Sequence, residues 1–292
     1  MIIFFKYDKV GLKTLNYIYA IKWFCMIRIN FLYVFLLPIF MLISCVNDSP
    51  LEPCKGQMFG KPISRTGLSA DKCMPVCQCE GFATKEFSAQ EISDLRNWNL
   101  LHPYEELNSN PYQNPLNLPS TEGWVCAVMV ESLSNKTYRL QNYESKEKAE
   151  SEGAIVTHFD LCGVCSTLED LAVYAENLDI GANVRQCGFQ NFSAPFENLV
   201  SCIQDLGFSL PCAQIWAYNL RNTQAECLSF CLNNDPYHLE DGSLSPCLEC
   251  DEIKSGPVFK TVAGRTRRNT GIASSICRFC EEVNPVAHDY PL

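Results

Sequence analysis

The sequence predicts a disulfide-rich α+β protein, with a small β-hairpin region followed by a helical segment and a Cys-stapled, loop-rich C-terminus. Three observations support this fold class. The chain of 292 residues contains 18 Cys. Residues 124–143 have the composition of two β-strands, and residues 166–231 repeat apolar side chains at helical spacing.

The N-terminal part that precedes the strands is expected to be irregular. Residues 45–80 are rich in Pro and Gly and end in closely spaced Cys, which predicts a tether followed by a Cys-rich loop. Ser88 then favours the start of a short helix, because Glu91 stands three residues later as the second half of a capping box.

Two strands joined by a tight turn are predicted next. Trp124–Val130 and Thr137–Tyr143 are strand-like, and residues 132–136 between them contain polar turn formers. Ala154–His158 predicts a further strand.

A first helix is predicted after these strands. Ser166 and Glu169 form the pattern of a capping box, and an apolar stripe follows them. The stripe consists of Leu168, Leu171, Ala172, Ala175 and Leu178. Gly181 is expected to end this helix.

A helical hairpin is predicted from the two helices that come next. One is expected from Ser193 to a stop at Gly207, and the other begins at Ser209. Because so short a turn separates them, they should pack antiparallel, with Trp216 buried between them.

An apolar stretch near the N-terminus has the composition of an export signal. Phe31–Ile43 contains no charge, Arg28 precedes it, and the stretch is shorter than a membrane-spanning helix requires. The residues Leu42-Ile43-Ser44-Cys45 close it and resemble the lipobox of bacterial lipoprotein precursors. The resemblance implies that Cys45 becomes the first mature residue and bears diacylglyceryl and palmitate groups. These would anchor the protein on the extracytoplasmic side of a cell membrane, in the cell envelope or periplasm.

These features divide the chain into five segments. They are an overlong start over 1–25, a lipoprotein signal peptide over 26–44, a tether and Cys-rich loop over 45–80, an α+β domain with the helical hairpin over 81–235, and a Cys-x-x-Cys-bounded loop-rich region over 236–292. The second methionine, Met26, would give the signal an ordinary length.

The charge of the chain argues against nucleic acid as a partner. The net charge is −10, and residues 45–292 alone have 18 basic and 32 acidic side chains. Proteins that bind nucleic acid neutralise phosphates with Lys and Arg, so we expect no nucleic-acid partner. Attachment to the membrane would come from the lipid on Cys45.

The cysteines predict a disulfide framework. Without Cys25 and Cys45, 16 Cys remain, and an exported chain with an even, dense set is expected to oxidise them in pairs. The spacing does not determine which residues pair.

Cys162-Gly-Val-Cys165 is a candidate redox pair. A Cys-x-x-Cys motif before a helix is how thioredoxin-like oxidoreductases present their dithiol. The sequence departs from that pattern, because no βαβ unit precedes the motif and Asp160 next to it opposes thiolate formation. Structural disulfides are the alternative.

Two further Cys-x-x-Cys motifs form a candidate metal site. Cys247 and Cys250 precede Cys277 and Cys280 at a distance typical of a zinc ribbon, in which four thiolates hold the ion tetrahedrally. Zinc is therefore the one cofactor that the spacing allows. An oxidising compartment favours disulfides at the same positions.

A basic cluster lies between these two motifs and is the candidate binding site for a small anion or a protein partner. It contains Lys260, Arg265, Arg267 and Arg268. Arg side chains bind carboxylate or phosphate through paired hydrogen bonds. On this hypothesis Gln at the three Arg positions would leave folding nearly unchanged. The alternative is a solvated loop that pairs with the protein's own carboxylates.

The remaining signals favour a protein without catalytic activity. His158 and His288 each lie near an acidic residue, and a Cys–His pair would be a nucleophile only if the thiol were free. No hydrolase or nucleotide-binding motif is present. The leading hypothesis is a lipid-anchored binding or structural protein of the cell envelope. The alternatives are a thiol–disulfide oxidoreductase and a metal-binding protein.

The lipobox interpretation predicts the effect of Cys45→Ser. Because the thiol accepts the lipid in the family that the motif resembles, the variant should leave the membrane fraction or persist as an uncleaved precursor. Membrane fractionation and intact mass would measure this. A variant that is cleaved and attached like the wild type would contradict the interpretation.

Overall fold

The computed structural model describes residues 55–79, 82–113, 122–233 and 235–292. The predicted leader segments and Cys45 lie outside these residues. Pro50–Leu292 form one compact unit. The unit combines helices, two small sheets and many disulfides, which confirms the predicted disulfide-rich α+β class.

A small sheet joins the two ends of this unit. It consists of β1 (Met58–Phe59), β2 (Cys73–Met74) and β7 (Arg278–Phe279). β1 is central, parallel to β2 and antiparallel to β7. The N-terminal loop is therefore paired directly with the C-terminal region.

The second sheet contains the predicted hairpin. Its strands are β3 (Asn99–Leu100), β4 (Val125–Ser132), β5 (Thr137–Tyr143) and β6 (Ile155–Phe159), in the order β3-β5-β4-β6. β4 is antiparallel to both β5 and β6, and β3 adds to β5 in parallel. The predicted hairpin and the strand near 154–158 are confirmed.

Nine helices occur in the described residues. They are α1 (Ala89–Leu95), α2 (Lys146–Ser151), α3 (Leu168–Glu176), α4 (Ile180–Gln190), α5 (Phe196–Gln204), α6 (Leu210–Cys231), α7 (Pro246–Lys254), α8 (Gly256–Ala263) and α9 (Arg267–Thr270). The C-terminal region is loop-rich, as predicted, and it also contains three helices, α7 to α9, that were not predicted. None of the described helices is long and apolar enough to cross a membrane.

Capping side chains set the start of two predicted helices. Ser88 and Glu91 form the expected capping box of α1. The N-cap of α3 is Thr167, whose hydroxyl accepts from the Asp170 N–H, and not Ser166. Ser166 Oγ accepts from the Gly163 N–H instead and lies 2.7 Å from His158 Nε2, so its hydroxyl is used within the turn before the helix.

Gly181 does not end a helix, contrary to the sequence prediction. α3 already ends at Glu176, and the C-cap Asn177 turns extended while its amide donates to Val173 O. Asp179 then caps the next helix, α4, and Gly181 lies in its first turn. This helix was missed because one apolar stripe was extended across the break.

The predicted helical hairpin is present as α5 and α6. Gly207 adopts φ +102° directly after α5, a conformation that favours glycine, and Ser209 is the N-cap of α6. Trp216 is only half-buried, and its ring packs against Phe259 with 4.6 Å between centroids. It therefore faces α8 rather than filling the space between α5 and α6.

Seven disulfides connect the described residues. They are Cys73–Cys277, Cys77–Cys280, Cys126–Cys162, Cys165–Cys212, Cys187–Cys202, Cys227–Cys250 and Cys231–Cys247. Cys79 is also disulfide-bonded. This pattern confirms the predicted framework and is typical of an extracytoplasmic, oxidising compartment.

Two adjacent disulfides connect the N-terminal loop to the C-terminal region and close almost the same loop. Cys73–Cys277 and Cys77–Cys280 span 204 and 203 residues. When either one is removed, the other still closes the large loop, so only a small ring is lost. Each single removal should therefore cost ~2 kcal/mol, whereas removal of both should exceed the sum of the two by ~3 kcal/mol.

The test is a double-mutant cycle with Ala at each Cys pair, measured by denaturant unfolding. Each Cys→Ala substitution also removes side-chain packing. This loss is the same in the single and the combined variants, so it cancels from the coupling free energy of the cycle. Strictly additive losses would contradict the redundant-loop explanation.

Candidate ligand-binding cavity

The Cys162–Cys165 motif does not form a redox pair in this structure. Cys162 is bonded to Cys126 on β4, and Cys165 is bonded to Cys212 on α6. Both sulfurs are thus committed to different partners, and Cys165 is fully buried. The motif connects the sheet to the helical hairpin, and the structural alternative describes it better.

The C-terminal motifs are likewise occupied by disulfides, so the structure does not support the zinc-ribbon prediction. Cys247 and Cys250 bind to α6, and Cys277 and Cys280 bind to the N-terminal loop. No group of His, Cys, Asp or Glu within the described ranges has the arrangement of a metal site.

The candidate histidines are buried and bonded within the protein. His158 lies in β6 beside Ser166, with its other nitrogen 2.7 Å from Phe159 O. His288 contacts Thr270 O and the hydroxyl of Tyr290. Burial lowers the pKa of both imidazoles, that of His288 to about 3, so both rings are neutral at pH 7. All cysteines among the described residues are disulfide-bonded, so neither histidine has a free thiol beside it there.

Arg265 lies in the interior and not on a binding loop. It is fully buried, and its guanidinium donates to three backbone carbonyls, those of Thr157, Cys165 and Ser166, at 2.9 to 3.1 Å. The hydroxyls of Thr157 and Thr270 accept its remaining bonds. The expectation that Gln at this position leaves folding unchanged is therefore corrected.

The other three residues of the basic cluster line a cavity. Lys260, on α8, is 3.1 Å from the Asp160 carboxylate. Arg268, on α9, is 2.6 Å from Glu252. Arg267 donates to the carbonyls of Asn177 and Ala273. Their role in binding stays a prediction, but the structure does bring them together on one surface.

The cavity lies between α4, the C-terminal half of α6, α7, α8 and the segment 266–283, and has a volume of about 590 Å³. Ligand pockets in proteins are typically ~300–1,000 Å³, mostly apolar, with a few polar groups. This cavity has that composition. Its apolar wall includes Tyr174, Val184, Trp216, Leu220, Leu248, Phe259 and Ile272.

The outer part of the wall is unusually apolar for an exposed surface. Phe189, Phe192, Leu228 and Leu232 line the cavity, with 69%, 53%, 40% and 75% of their area exposed. Phe189 follows Gly181 and Arg185 at four-residue intervals along one face of α4, and Leu228 lies on α6. Apolar side chains of this size at the rim of a cavity are typical of a binding surface.

The charged wall has more cations than carboxylates. Its members are Arg185, Lys260, Arg267, Arg268, Arg278, Asp251 and Glu252. Glu252 accepts from both Arg268 and Arg278. Asp251 accepts the Thr223 hydroxyl, and burial raises the pKa of its carboxyl. An acidic protein has therefore concentrated positive charge in this wall.

Disulfides fix the relative positions of the walls. Cys227–Cys250 and Cys231–Cys247 bond α6 to α7 at two successive turns, and Cys187–Cys202 bonds α4 to α5. Wall helices held in this way lose little further entropy when a ligand binds.

Sequence reasoning missed the contribution of α4 to the site. Gly181, Arg185 and Phe189 recur at i, i+4 and i+8, which places them on one helix face. This signal was present in the sequence, but the helix that would have made it visible was not predicted.

Part of the chain is similar to a known protein family. The model of a family of unknown function (DUF8771) matches residues 196–286, which is less than half of the chain and includes α5 to α9. Neither the curated proteins nor the solved structures contain a match.

The buried position of Arg265 predicts that Arg265→Gln is strongly destabilising. Three buried carbonyls would lose a donor, and each unsatisfied group costs ~1–3 kcal/mol, so the free energy of unfolding should fall by at least ~3 kcal/mol. Arg268→Gln removes the same charge from a partly exposed ion pair and should cost no more than ~1 kcal/mol. Urea unfolding would measure both, and equal losses in the two variants would refute the assignment.

Proposed function

We propose that this protein is a lipid-anchored, extracytoplasmic binding protein that holds a small, mostly apolar organic ligand in the cavity beside α4 and α6. The observation that supports a binding role most directly is a preformed cavity of about 590 Å³ whose apolar rim is exposed. The lipobox-like residues ending at Cys45 support the anchor, and the disulfides support the compartment.

A binding role accounts for the site better than the two alternatives from the sequence. The thiols required by an oxidoreductase or a zinc ribbon are oxidised in structural disulfides. The buried histidines are bonded to the protein itself.

Gly181 allows the cavity to be filled without disturbing the backbone. It lines the cavity, and a Cβ added to it would meet no atom within 4 Å. Gly181→Phe should therefore place a ring in the cavity, whereas Gly181→Ala adds only a methyl group. Both variants replace a helix glycine, so both should fold at least as well as the wild type.

The experiment uses a neutral alkyl probe, diazirine-bearing dodecanol, photo-crosslinked to the full chain in its own membranes. We expect saturable labelling of peptides from α4 and α6 in the wild type. Gly181→Phe should raise the half-saturating concentration at least ~10-fold, equivalent to ~1.4 kcal/mol. Gly181→Ala should stay near the wild type. Labelling that is unsaturable, or unaffected by Gly181→Phe, would contradict a ligand site in this cavity.

A further inference from the structure

Arg185 is the one cavity cation that the described residues leave without a hydrogen bond or an ion pair. The other four are engaged by Asp160, by Glu252 or by backbone carbonyls. The guanidinium of Arg185 lies 6.0 Å from the centroid of the Tyr237 ring, and Arg65 stacks on the same ring at 5.3 Å. A partly buried guanidinium without a counter-ion is costly unless something else supplies one.

Two carboxylates near Arg185 attract its charge without bonding to it. Asp251 accepts from the Thr223 hydroxyl, and burial raises the pKa of its carboxyl. Both oxygens of Asp179 accept from the Tyr237 hydroxyl at 2.8 Å. The N–H groups of Arg185 therefore have no acceptor among the described residues.

Three polar atoms in residues of the cavity wall are buried beneath its surface and have no hydrogen bond of ordinary geometry. They are Tyr174 Oη, Trp216 Nε1 and Arg267 Nε. They are neighbours, since the Arg267 guanidinium is 5.7 Å from the centroid of the Tyr174 ring and that ring is 6.3 Å from the ring of Trp216. Burial raises the pKa of the Tyr174 phenol, which therefore keeps its proton. These atoms add polarity to the wall without being exposed to the cavity.

The remaining cavity surface suits a hydrocarbon chain. The rim residues Phe189, Phe192, Leu228 and Leu232 extend the apolar wall from Trp216 and Leu220 to the solvent. A ligand would thus meet a guanidinium without a hydrogen-bond acceptor at Arg185 and apolar side chains over much of the wall.

We propose, as a refinement that rests on the binding function above, that the ligand is a single-chain amphiphile with one anionic head, a carboxylate or a phosphate monoester. The head binds the guanidinium of Arg185, whose N–H groups have no acceptor among the described residues. The chain lies against the apolar rim of α4 and α6.

The test compares three diazirine probes that share a dodecyl chain: the alcohol, the carboxylate and the phosphate monoester. Each is titrated on the full chain in its own membranes, and half-saturating concentrations are measured. The wild type should bind at least one anionic probe about 10- to 100-fold better than the alcohol, the range expected for a charged hydrogen bond. The better of the two anionic probes distinguishes a fatty-acid head from a phosphate head.

Arg185→Gln should remove this preference while the alcohol binds as before. Arg65→Gln is the matched control, because Arg65 stacks on the same Tyr237 ring but does not line the cavity. This variant removes only a more distant charge, so it should change the half-saturating concentration by about twofold at most. If the alcohol labels the cavity as well as both anions do, the anionic head is refuted. If Arg185→Gln keeps the preference, the binding of the head by Arg185 is refuted. The binding function stands in both cases. If no probe labels saturably, both proposals fail.

Discussion

The buried guanidinium of Arg265 holds the two halves of the structure together. Its donors reach Thr157 on β6, the carbonyls of Cys165 and Ser166 before α3, and the Thr270 hydroxyl on α9. No carboxylate among the described residues forms an ion pair with it, so backbone carbonyls and threonine hydroxyls accept all of its hydrogen bonds. Burial lowers its pKa from the ordinary value, but a guanidinium keeps its proton. Arg265 thereby bonds the second sheet and the turn before α3 to the C-terminal region.

The contacts of Arg265 require the backbone of residues 163–165 to pack directly against the backbone at the C-terminal end of α8. A Cβ on Gly163 would lie 2.4 Å from Val262 O, and Gly264 adopts φ +73° with its α-carbon against the same turn. The N–H groups of Val164 and Cys165 donate to the last carbonyls of α8. The turn at residues 163–165 thus caps the C-terminal end of α8. It also positions Arg267 and Arg268, two and three residues after Arg265, on the cavity side of α9.

The sequence alone predicts the elements that depend on residues close together in the chain. The β4–β5 hairpin, the Ser88 cap and the break at Gly207 follow from residues a few positions apart. The cavity and its lining residues could not be predicted from such local patterns. Arg265 and Arg267 are near neighbours, yet one is in the core and the other lines the cavity, because contacts about a hundred residues away decide their burial. Disulfide pairing is non-local for the same reason, so the three Cys-x-x-Cys motifs resembled redox and zinc sites although none of them pairs internally.

The cavity is a feature that the fold tolerates at a cost to stability. A partly buried guanidinium without a hydrogen-bond acceptor, three buried polar atoms without hydrogen bonds of ordinary geometry and exposed phenylalanines each disfavour the folded state. The disulfides around the cavity stabilise the folded state, since each contributes ~2–4 kcal/mol by constraining the unfolded chain. Two of them bond α6 to α7 directly at the cavity wall. A protein selected for stability alone would have filled this space with apolar side chains, whereas a ligand with an anionic head and an apolar chain would supply an acceptor for Arg185 and cover the exposed rim.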